Sequence, residues 1–358
     1  MRILHLVLAP RLSGAEVLAK DLAIHQQRSG ETVCVSSLMP QHDDFALLRA
    51  ELEANAVTCV FPTKLHGAPG KLWHLDRTVR RFRPDVIFAH STIPALYARA
   101  LPTVVPVVYV MHSAANDFDN GLLRRAERVL SRRARAVIAV SPANVDDYIG
   151  AIGKHPSMMV IPNGVDMARF GDAAHAHGGP RQTQPTIVQI GRYTTVKNQL
   201  QTVQAFADVA RWIPAARLLL YGVVEDAAYY RAVSERVNAL GLADRVVVGG
   251  PRSDVSHILF DATVYAMPSK SEGHSIAFLE ALASGIPVVA SAIRPFAFAA
   301  DFASVQLIDT DDTQAYTRAL VVALSQSRAQ RPLAGLTLKD TADRYLAVAH
   351  QVIQARAA

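Results

Sequence analysis

The chain alternates short apolar runs with longer stretches whose apolar residues recur at helical spacing. The apolar runs are rich in Val, Ile and Leu, a pattern typical of strands that are buried on both faces. In the first half they lie at 2–9, 31–38, 84–89, 104–111, 136–140 and 157–161. Stretches whose apolar residues recur at helical spacing lie between these runs, as at 14–28 and 120–133. This alternation predicts a parallel sheet with helices on both faces.

The pattern stops at residues 171–185, a segment rich in Gly, His, Gln and Pro, and we place a linker there. It then restarts, with apolar runs at 186–191, 217–221, 245–249, 262–267 and 286–290. The fold class expected is therefore α/β, with two Rossmann-like parallel-sheet domains at 1–170 and 186–336. Residues 337–358 predict one more amphipathic helix, which we expect to pack back toward the N-terminal domain. Two such domains imply a central cleft at the carboxyl ends of the strands.

Composition narrows the classes of protein that the chain can form. Of 358 residues, 50% are hydrophobic and 19% are charged, which excludes disorder as the main state. Only two cysteines are present, which excludes a disulfide scaffold and a Cys-rich zinc site. No apolar run reaches the ~18 residues of a membrane span. Residues 1–9 contain Arg2 and His5 and predict the first strand of a cytoplasmic protein rather than a signal peptide.

The net charge of +6 is concentrated in the first half of the chain. Residues 1–170 carry 20 Lys and Arg against 15 Asp and Glu, whereas residues 171–358 carry 17 against 16. A basic first domain suits nucleic acid, anionic lipid or a phosphorylated substrate. No basic platform interleaved with aromatic residues is present, so nucleic acid is not an expected partner.

A run of arginines at 124–135 is the densest charge in the sequence. Its members are Arg124, Arg125, Arg128, Arg132, Arg133 and Arg135, and the apolar residues among them are Leu122, Leu123, Ala126, Val129 and Leu130. Two interpretations stay open: a core-packed helix with a solvated face, or a helix that contacts an anionic membrane surface.

Two strand-to-helix loops carry candidate anion-binding residues. No G-x-G-x-x-G follows the first strand, but Gly14 lies in a turn before a helix, where backbone N–H groups can meet an anion. In the second domain, Gly191-Arg192 ends a strand, and Lys197 follows at the start of a helix. An arginine fork and a lysine point charge on one such loop are suited to a diphosphate.

The segment 267–291 combines a strand, a polar loop, a helix from about Ser275 to Ser284, and a further strand. Glu272 lies in the loop and Glu280 lies within the helix among apolar residues. Glu280 is either a solvent-facing carboxylate or a buried one that hydrogen-bonds to ligand hydroxyls, because a buried carboxylate needs a partner.

Taken together, these motifs resemble a known family. The pattern G-R-x4-K-N at 191–198, followed by E-x7-E from Glu272 to Glu280, is similar to the retaining GT-B glycosyltransferases of family 4. The segment 161–166 (IPNGVD) resembles that family's interdomain segment. The order of the elements matches over essentially the whole chain. The resemblance implies the GT-B architecture, a nucleotide-diphosphate sugar as donor, and no metal or other cofactor.

The resemblance also implies roles for individual residues. Arg192 and Lys197 would bind the diphosphate and stabilise charge on the leaving group, while Glu280 would accept hydrogen bonds from the ribose. Glu272 would contact hydroxyls of the sugar. The backbone of the next residues would assist it; these are Gly273, His274, Ser275 and Ile276.

In the N-terminal domain, the resemblance implies that Gly14 faces the diphosphate and that His112 lies near the transferred sugar. Asp117 and Asp119 form a D-x-D, which is a metal motif in a different glycosyltransferase fold. We do not expect a metal here, because Arg192 and Lys197 already neutralise phosphate charge.

The chain departs from the family pattern at several positions. His274-Ser275 replaces Phe-Gly, Val223–Glu225 replaces a second glycine and a proline, and Ala292–Phe296 replaces a Gly-Gly-x-x-Glu stretch. These changes put the base pocket in question and suggest an altered choice of donor sugar or acceptor.

The function expected is therefore retaining transfer of a sugar to a hydroxyl acceptor, either a glycan or a lipid-linked one. Bacterial cell-surface polysaccharide, lipopolysaccharide or glycolipid synthesis is the expected setting, in the cytoplasm or at the inner face of the membrane. Two alternatives remain: a nucleotide-sugar epimerase of the same fold, and an inactive nucleotide-sugar-binding scaffold subunit.

Overall fold

The computed structural model describes residues 1–112, 115–170 and 184–357. The chain divides into two compact units: Met1–Gly164 with Gly335–Ala358, and Val165–Ala334. The first unit therefore ends at Gly164, six residues before the predicted boundary, and residues 165–170 belong to the second. The predicted linker at 171–185 lies almost entirely outside the described residues.

Within the described residues, the first unit is built on a parallel sheet of seven strands in the order β3-β2-β1-β4-β5-β6-β7. The strands are β1 (Arg2–Val7), β2 (Thr32–Ser37), β3 (Thr58–Val60), β4 (Val86–His90), β5 (Val107–Met111), β6 (Ala134–Ala139) and β7 (Met158–Val160). The helices are α1 (Gly14–Arg28), α2 (Ala46–Ala54), α3 (Ala68–Phe82), α4 (Thr92–Ala100), α5 (Gly121–Leu130) and α6 (Pro142–Ala151). Every residue of β4 and β5 is buried, as their unbroken apolar runs require.

The second unit repeats the plan, with a parallel sheet in the order β10-β9-β8-β11-β12-β13 among the described residues. Its strands are β8 (Thr186–Ile190), β9 (Arg217–Tyr221), β10 (Val246–Gly249), β11 (Val264–Met267), β12 (Val288–Ser291) and β13 (Val305–Ile308). Its helices are α7 (Gln199–Trp212), α8 (Ala227–Ala239), α9 (Val255–Asp261), α10 (Ile276–Ala283) and α11 (Thr313–Leu324). Both units thus have the predicted architecture of Rossmann-like parallel sheets.

The last helix, α12 (Leu338–Ala357), belongs to the first unit, where it packs on α1 and against β4 and β6. The ring of Tyr345 lies 5.3 Å from that of Phe88, and the Thr341 hydroxyl donates to the Pro162 carbonyl over 2.9 Å. Gly164 lies so close to this segment that a Cβ there would lie 2.2 Å from the Thr337 carbonyl oxygen. Any side chain at 164 would therefore push α12 away.

The structure adds two short strands that the apolar pattern does not predict, β3 and β13. Both are edge strands of their sheets, and most of their residues are only partly buried. The helix predicted at 120–133 is α-helical only as far as Leu130, and a 3-10 turn over Ser131–Arg133 follows it.

Candidate functional site

In the second unit, the two candidate loops leave the same edge of the sheet. Strand β11 pairs in parallel with β8, with Tyr265 opposite Val188, so the loops that follow these strands are neighbours. The backbone N–H of Lys270 donates to the Val196 carbonyl over 2.8 Å, which ties one loop to the other. The topology thus brings the G-R-x4-K and E-x7-E motifs together.

At the centre of this edge, Lys197 and Glu272 form an ion pair, with 2.5 Å between Nζ and Oε1. The two side chains are only 13% and 9% exposed, so little water screens their charges. A lysine ammonium has three N–H donors, so the pair leaves Lys197 able to donate to another anion. In the described part of the chain, Glu272 uses Oε1 for this pair, and Oε2 remains to accept from a ligand.

Two buried glutamines hold the loop at 191–198 in shape. Gln189 Nε2 donates to the Lys197 carbonyl over 2.7 Å, and Gln199 Nε2 donates to the Arg192 carbonyl over 2.9 Å. Asn198, between the lysine and the helix, has the left-handed φ of 55° that asparagine adopts more readily than most residues. The sequence K-N is thus suited to a turn that starts α7 and places the lysine at the sheet edge.

Arg192 lies on the more open side of the loop and pairs with Glu225, with 2.5 Å between Nη1 and Oε2. The backbone beside it is tightly packed, because a Cβ on Gly222 would lie 1.9 Å from the Gly191 carbonyl oxygen. Glu225 lies in the segment Val223–Glu225, where the chain departs from the family pattern. This departure therefore supplies the ion-pair partner of Arg192.

Glu280 lies inside α10, which begins at Ile276 after the N-cap residue Ser275 and runs to Ala283. Its side chain is 8% exposed, so the interpretation of Glu280 as a solvent-facing carboxylate is wrong. Arg169 Nη1 lies 3.4 Å from Glu280 Oε1 and supplies a positive charge that a buried carboxylate needs. Ser275 accepts a hydrogen bond from the Phe278 N–H, which fixes the first turn of the helix.

The charges of both carboxylates, Glu272 and Glu280, act on the hydroxyl of Tyr265 in β11. Burial first, and then the charges of Glu272 and Glu280, raise the pKa of its hydroxyl well above 10. The hydroxyl donates to the Ile190 carbonyl over 3.3 Å. Both carboxylates of the E-x7-E motif therefore raise the pKa of the same tyrosine in β11.

Arg331 binds backbone carbonyls at the C-terminal end of α10. Its guanidinium donates to the carbonyls of Leu282 and Ile286 over 3.2 and 2.8 Å. Burial lowers the pKa of Arg331 to about 10. Because the last carbonyls of a helix lack intrahelical donors, this arginine stabilises the end of the helix that carries Glu280.

His274 is buried and stacks on Phe298, with ring centroids 5.5 Å apart. Burial lowers the pKa of its imidazole to about 4, so the ring is neutral at pH 7. Phe298 also packs edge-to-face on Phe278 of α10. Phe296, the last residue of the Ala292–Phe296 stretch, stacks on the same Phe278 ring with centroids 4.2 Å apart. The departures from the family pattern at His274 and at Ala292–Phe296 thus meet in one aromatic cluster.

In the first unit, Gly14 and His112 both follow strands at the carboxyl edge of the sheet. Gly14 is the first residue of α1, after the extended N-cap Ser13, whose hydroxyl contacts the Glu16 carboxylate. His112 follows β5, and its Nε2 lies 2.9 Å from His90 Nδ1. Burial lowers the pKa of His112 to about 4.

Asp117 of the D-x-D motif is engaged inside the first unit, where Thr92 Oγ1 donates to its Oδ2 over 2.6 Å. Asp119, by contrast, is exposed. Over residues 1–112, 115–170 and 184–357, no group of three or more His, Cys, Asp or Glu is placed to hold a metal ion.

The basic run at 124–135 has an exposed face that carries both charge and apolar surface. Leu122 and Val129, one heptad apart on α5, are 76% and 78% exposed, whereas Glu127 is buried in a two-bond ion pair with Arg99. The arginines of the run are all exposed. The helix is thus anchored through Glu127, and the apolar stripe is only partly covered. None of the described helices is long and apolar enough to cross a membrane.

Four of these contacts involve residues that the sequence motifs do not mark. These residues, Arg169, Glu225, Gln189 and Gln199, lie outside the motifs, and only the tertiary structure reveals their partners. A weak signal exists for the two glutamines, because each lies in a stretch of apolar strand or helix where an unpaired amide would be costly.

Comparison with known families and structures agrees with this architecture. The model of Glycosyltransferase Family 4 matches residues 12–169, and that of Glycosyl transferases group 1 matches residues 172–331. Among solved structures, Anabaena HepE in complex with UDP-glucose has a TM-score of 0.76 at 20% identity, covering 100% of this chain and 98% of that one. WaaG, a glycosyltransferase involved in lipopolysaccharide biosynthesis, has a TM-score of 0.68 at 16% identity, covering 96% and 94%. These likenesses show the fold.

Curated relatives are similar over part of their length. A UDP-Gal:alpha-D-GlcNAc-diphosphoundecaprenol alpha-1,3-galactosyltransferase of Escherichia coli is 23% identical over 62% of this chain and 61% of its own. A GDP-mannose-dependent phosphatidylinositol monomannoside mannosyltransferase of Mycolicibacterium smegmatis is 29% identical over 47% of each chain. A D-inositol 3-phosphate glycosyltransferase of Segniliparus rotundus is 31% identical over 48% of this chain. The matches span 61%, 47% and 40% of the lengths of these relatives.

Proposed function

Because the chain belongs to the GT-B glycosyltransferases of family 4 and group 1, we propose that it transfers a sugar from a nucleoside diphosphate sugar to a hydroxyl group of an acceptor. The transfer retains the configuration at the anomeric carbon. The observation that carries the proposal is the ion pair of Lys197 and Glu272, which places a cation for phosphate beside a carboxylate for sugar hydroxyls.

Arg192 and Lys197 bind the diphosphate and stabilise the charge that develops on it as the bond to the sugar breaks. Lys197 keeps Glu272 as a partner while its remaining N–H groups donate to phosphate oxygens. Arg192 exchanges Glu225 for the diphosphate, which it can bind through two parallel hydrogen bonds. Side-chain cations thus take the place of a divalent ion, and no metal is needed.

Glu272 accepts hydrogen bonds from hydroxyls of the transferred sugar through Oε2, and the backbone N–H groups from Gly273 to Ile276 assist it. Glu280 accepts from the ribose, and Arg169 supplies a positive charge beside its carboxylate. In the first unit, Gly14 meets the diphosphate and His112 meets the sugar. His274 and Phe298 form an apolar wall that influences the choice of sugar.

In the transfer step, the bond between the anomeric carbon and the phosphate oxygen breaks, and a bond from that carbon to the acceptor oxygen forms on the same face. The acceptor proton passes to the departing diphosphate. No protein nucleophile takes part, so the enzyme contributes positioning and electrostatic stabilisation of the leaving group.

A lipid-linked acceptor in the synthesis of a bacterial surface glycan or glycolipid is the acceptor class that we propose. The named acceptors of the Escherichia coli and Mycolicibacterium relatives are lipids, which supports this class. The exposed arginines around Leu122 and Val129 suit an anionic surface, with the two apolar side chains entering the headgroup region. The protein would then act in the cytoplasm, at the inner face of the membrane.

A nucleotide-release assay tests the proposal. A panel of nucleoside diphosphate sugars is first screened by thermal shift, because a bound donor raises the melting temperature by mass action. With the donor so found, release of nucleoside diphosphate is measured with and without a lipid-linked acceptor. We expect release that depends on the acceptor. Release without any acceptor, together with an altered sugar, would identify an epimerase, and binding without release would identify a scaffold subunit.

A further inference from the structure

Three histidines on adjacent strands of the first unit form a continuous hydrogen-bonded chain. His5 lies in β1, His90 ends β4 and His112 follows β5, and these strands are neighbours in the order β1-β4-β5. His5 Nδ1 lies 2.9 Å from His90 Nε2, and His90 Nδ1 lies 2.9 Å from His112 Nε2. Ring centroids are 5.2 Å apart at both steps, with interplanar angles of 29° and 16°.

At the inner end of the histidine chain Gln26 turns its amide oxygen toward His5, and in this orientation the amide sets where each proton lies. His5 Nε2 lies 2.7 Å from Gln26 Oε1, and both residues are 0% exposed. An amide oxygen only accepts, so His5 carries its proton on Nε2 and its Nδ1 accepts. His90 must then donate from Nε2 and accept at Nδ1, and His112 must donate from Nε2. Consequently, Nδ1 of His112 carries a lone pair.

The three hydrogen-bonded histidines hold protons in place rather than conduct them. Burial lowers the pKa of His5 and of His112 to about 4, and lowers that of His90 well below its ordinary value. All three rings are therefore neutral at pH 7. At the inner end, Gln26 is not a base, and its Nε2 is buried without a partner in the described part of the chain. A proton that entered at His112 would find no acceptor at the far end.

We propose that His5 and His90 are positioning residues that hold His112 in its Nε2–H tautomer, so that its Nδ1 accepts a hydrogen bond from a hydroxyl of the transferred sugar. This inference rests on the proposed function for the identity of the hydroxyl, but not for the tautomer. His112 is partly exposed at the carboxyl edge of the sheet, and its Nδ1 bonds to no residue that the structure describes. His112 then selects a sugar that can donate a proton at this point.

The tautomer is measured directly, without donor, by ¹⁵N NMR of the full-length protein labelled in its histidine rings. His112→Gln assigns the signals of the ring by removing them. We expect the wild-type ring to be protonated at Nε2 and unprotonated at Nδ1. A ring protonated at Nδ1 would overturn the proposal, because the hydrogen bonds between the three histidines would then point in the opposite direction. The tautomer is read in the wild-type protein, and His112→Gln serves only to assign the signals; unchanged signals from the other histidines show that this variant folds.

Two substitutions at His90 separate hydrogen bonding from packing. His90→Phe keeps a ring but offers no acceptor, and we expect it to give His112 a mixture of tautomers. His90→Gln keeps an amide oxygen that can accept from His112, and we expect it to retain the Nε2–H tautomer. An unchanged His112 tautomer in His90→Phe would show that the chain does not control it.

Turnover with the donor found by screening then tests the consequence for the reaction. His90→Phe should lower kcat/KM by roughly three- to tenfold, the value of one neutral hydrogen bond. In a His112→Gln background, the same change should have no further effect, because His90 acts through His112. An equal loss in that background would reveal a merely structural role and overturn the proposal. If no donor supports transfer while NMR finds the expected tautomer, the proposed function fails and the tautomer assignment stands.

Discussion

Lys197 and Glu272, 75 residues apart in the chain, meet with 2.5 Å between Nζ and Oε1 at the carboxyl edge of the second sheet. The pair joins the two motifs on which the functional proposal depends. Each side chain is also the counter-ion of the other in a place that water hardly reaches.

The diphosphate-binding role of the two cations predicts a large loss of activity in their alanine variants. Lys197→Ala and Arg192→Ala should each cost about 2–4 kcal/mol of transition-state stabilisation, as the loss of an electrostatic donor does. The measurement is kcat/KM for the donor, with the melting temperature to confirm folding. Arg211→Ala, on the exposed side of α7, is a matched control that should leave kcat/KM unchanged. Near-wild-type turnover in both Lys197→Ala and Arg192→Ala would refute the role.

Under the proposed function Arg192 and Lys197 would neutralise the diphosphate, so activity should survive removal of divalent ions. Turnover is measured after dialysis against EDTA, and Asp119→Asn is measured beside it because Asp119 is the exposed member of the D-x-D motif. We expect both to retain full rates. Complete loss on chelation, restored by Mg²⁺ or Mn²⁺, would instead make the enzyme metal-dependent.

The exposed face of α5 should bind anionic membranes. Within the run at 124–135, Arg128 and Arg133 donate to backbone carbonyls. The first variant therefore replaces three other arginines of the run, Arg124, Arg125 and Arg132, with Gln. Binding to vesicles with anionic lipid should weaken by about 1 kcal/mol per charge removed. Turnover on a soluble acceptor analogue should persist.

Replacing all five arginines from Arg124 to Arg133 should weaken vesicle binding further, and replacing Leu122 and Val129 with Ser should weaken it without changing charge. A control that removes the exposed charges of Arg77, Arg80 and Arg81 on α3 distinguishes a local surface from general attraction. Unchanged vesicle binding in the α5 variants would identify this face as solvated.

Stability should fall in mild acid, and His274 should account for a measurable share of the fall. The pKa of its ring is about 4 in the folded protein and near 6.5 when unfolded, so the folded state binds fewer protons between these values. Its contribution to stability is therefore present above pH 6.5 and is lost as the pH falls toward 4. In His274→Phe, the decrease in the free energy of unfolding from pH 7 to pH 5 should be smaller by about 2 kcal/mol.

Urea unfolding at the two pH values measures this difference. Phe302→Leu is the control, because Phe302 packs on Phe298 and carries no titratable group. It should lower stability equally at both pH values. If His274→Phe keeps the full wild-type pH dependence, His274 is not a buried neutral ring.

The hydrophobic pattern predicts most of the fold, and for identifiable reasons. Helix α1 has the bounds 14–28 that its apolar spacing predicts, because a buried stripe and a turn at each end define it. Strand β9 likewise has the predicted bounds 217–221. Strands β3 and β13 escape prediction, because short edge strands are only partly buried and carry little periodic signal.

The site is predictable only as far as its motifs extend. The resemblance to family 4 places Lys197 and Glu272 in one site, but no sequence rule pairs them as ions. Arg169 and Glu225 are missed, because a single charged residue outside a motif usually contacts water. The histidine chain is invisible in the sequence for another reason: His5 and His90 are 85 residues apart, and only the strand order β1-β4 places them together.

The central claim, that the E-x7-E carboxylates divide between ribose and sugar, is tested most directly by calorimetric titration with free nucleoside diphosphate. The titration compares wild type, Glu280→Gln and Glu272→Gln, with Arg169→Gln as a control for the charge beside Glu280. Ribose is present in the free nucleotide and the transferred sugar is not. Glu280→Gln should therefore weaken binding by roughly 1.5–3 kcal/mol, the value of a hydrogen bond to a charged group.

Glu272→Gln should leave nucleotide affinity near that of the wild type while it lowers turnover of the donor. If Glu272→Gln loses nucleotide affinity and Glu280→Gln keeps it, the two roles are reversed. If neither variant changes affinity or turnover, the two carboxylates do not contact the donor, and the site proposed at the edge of the second sheet is wrong.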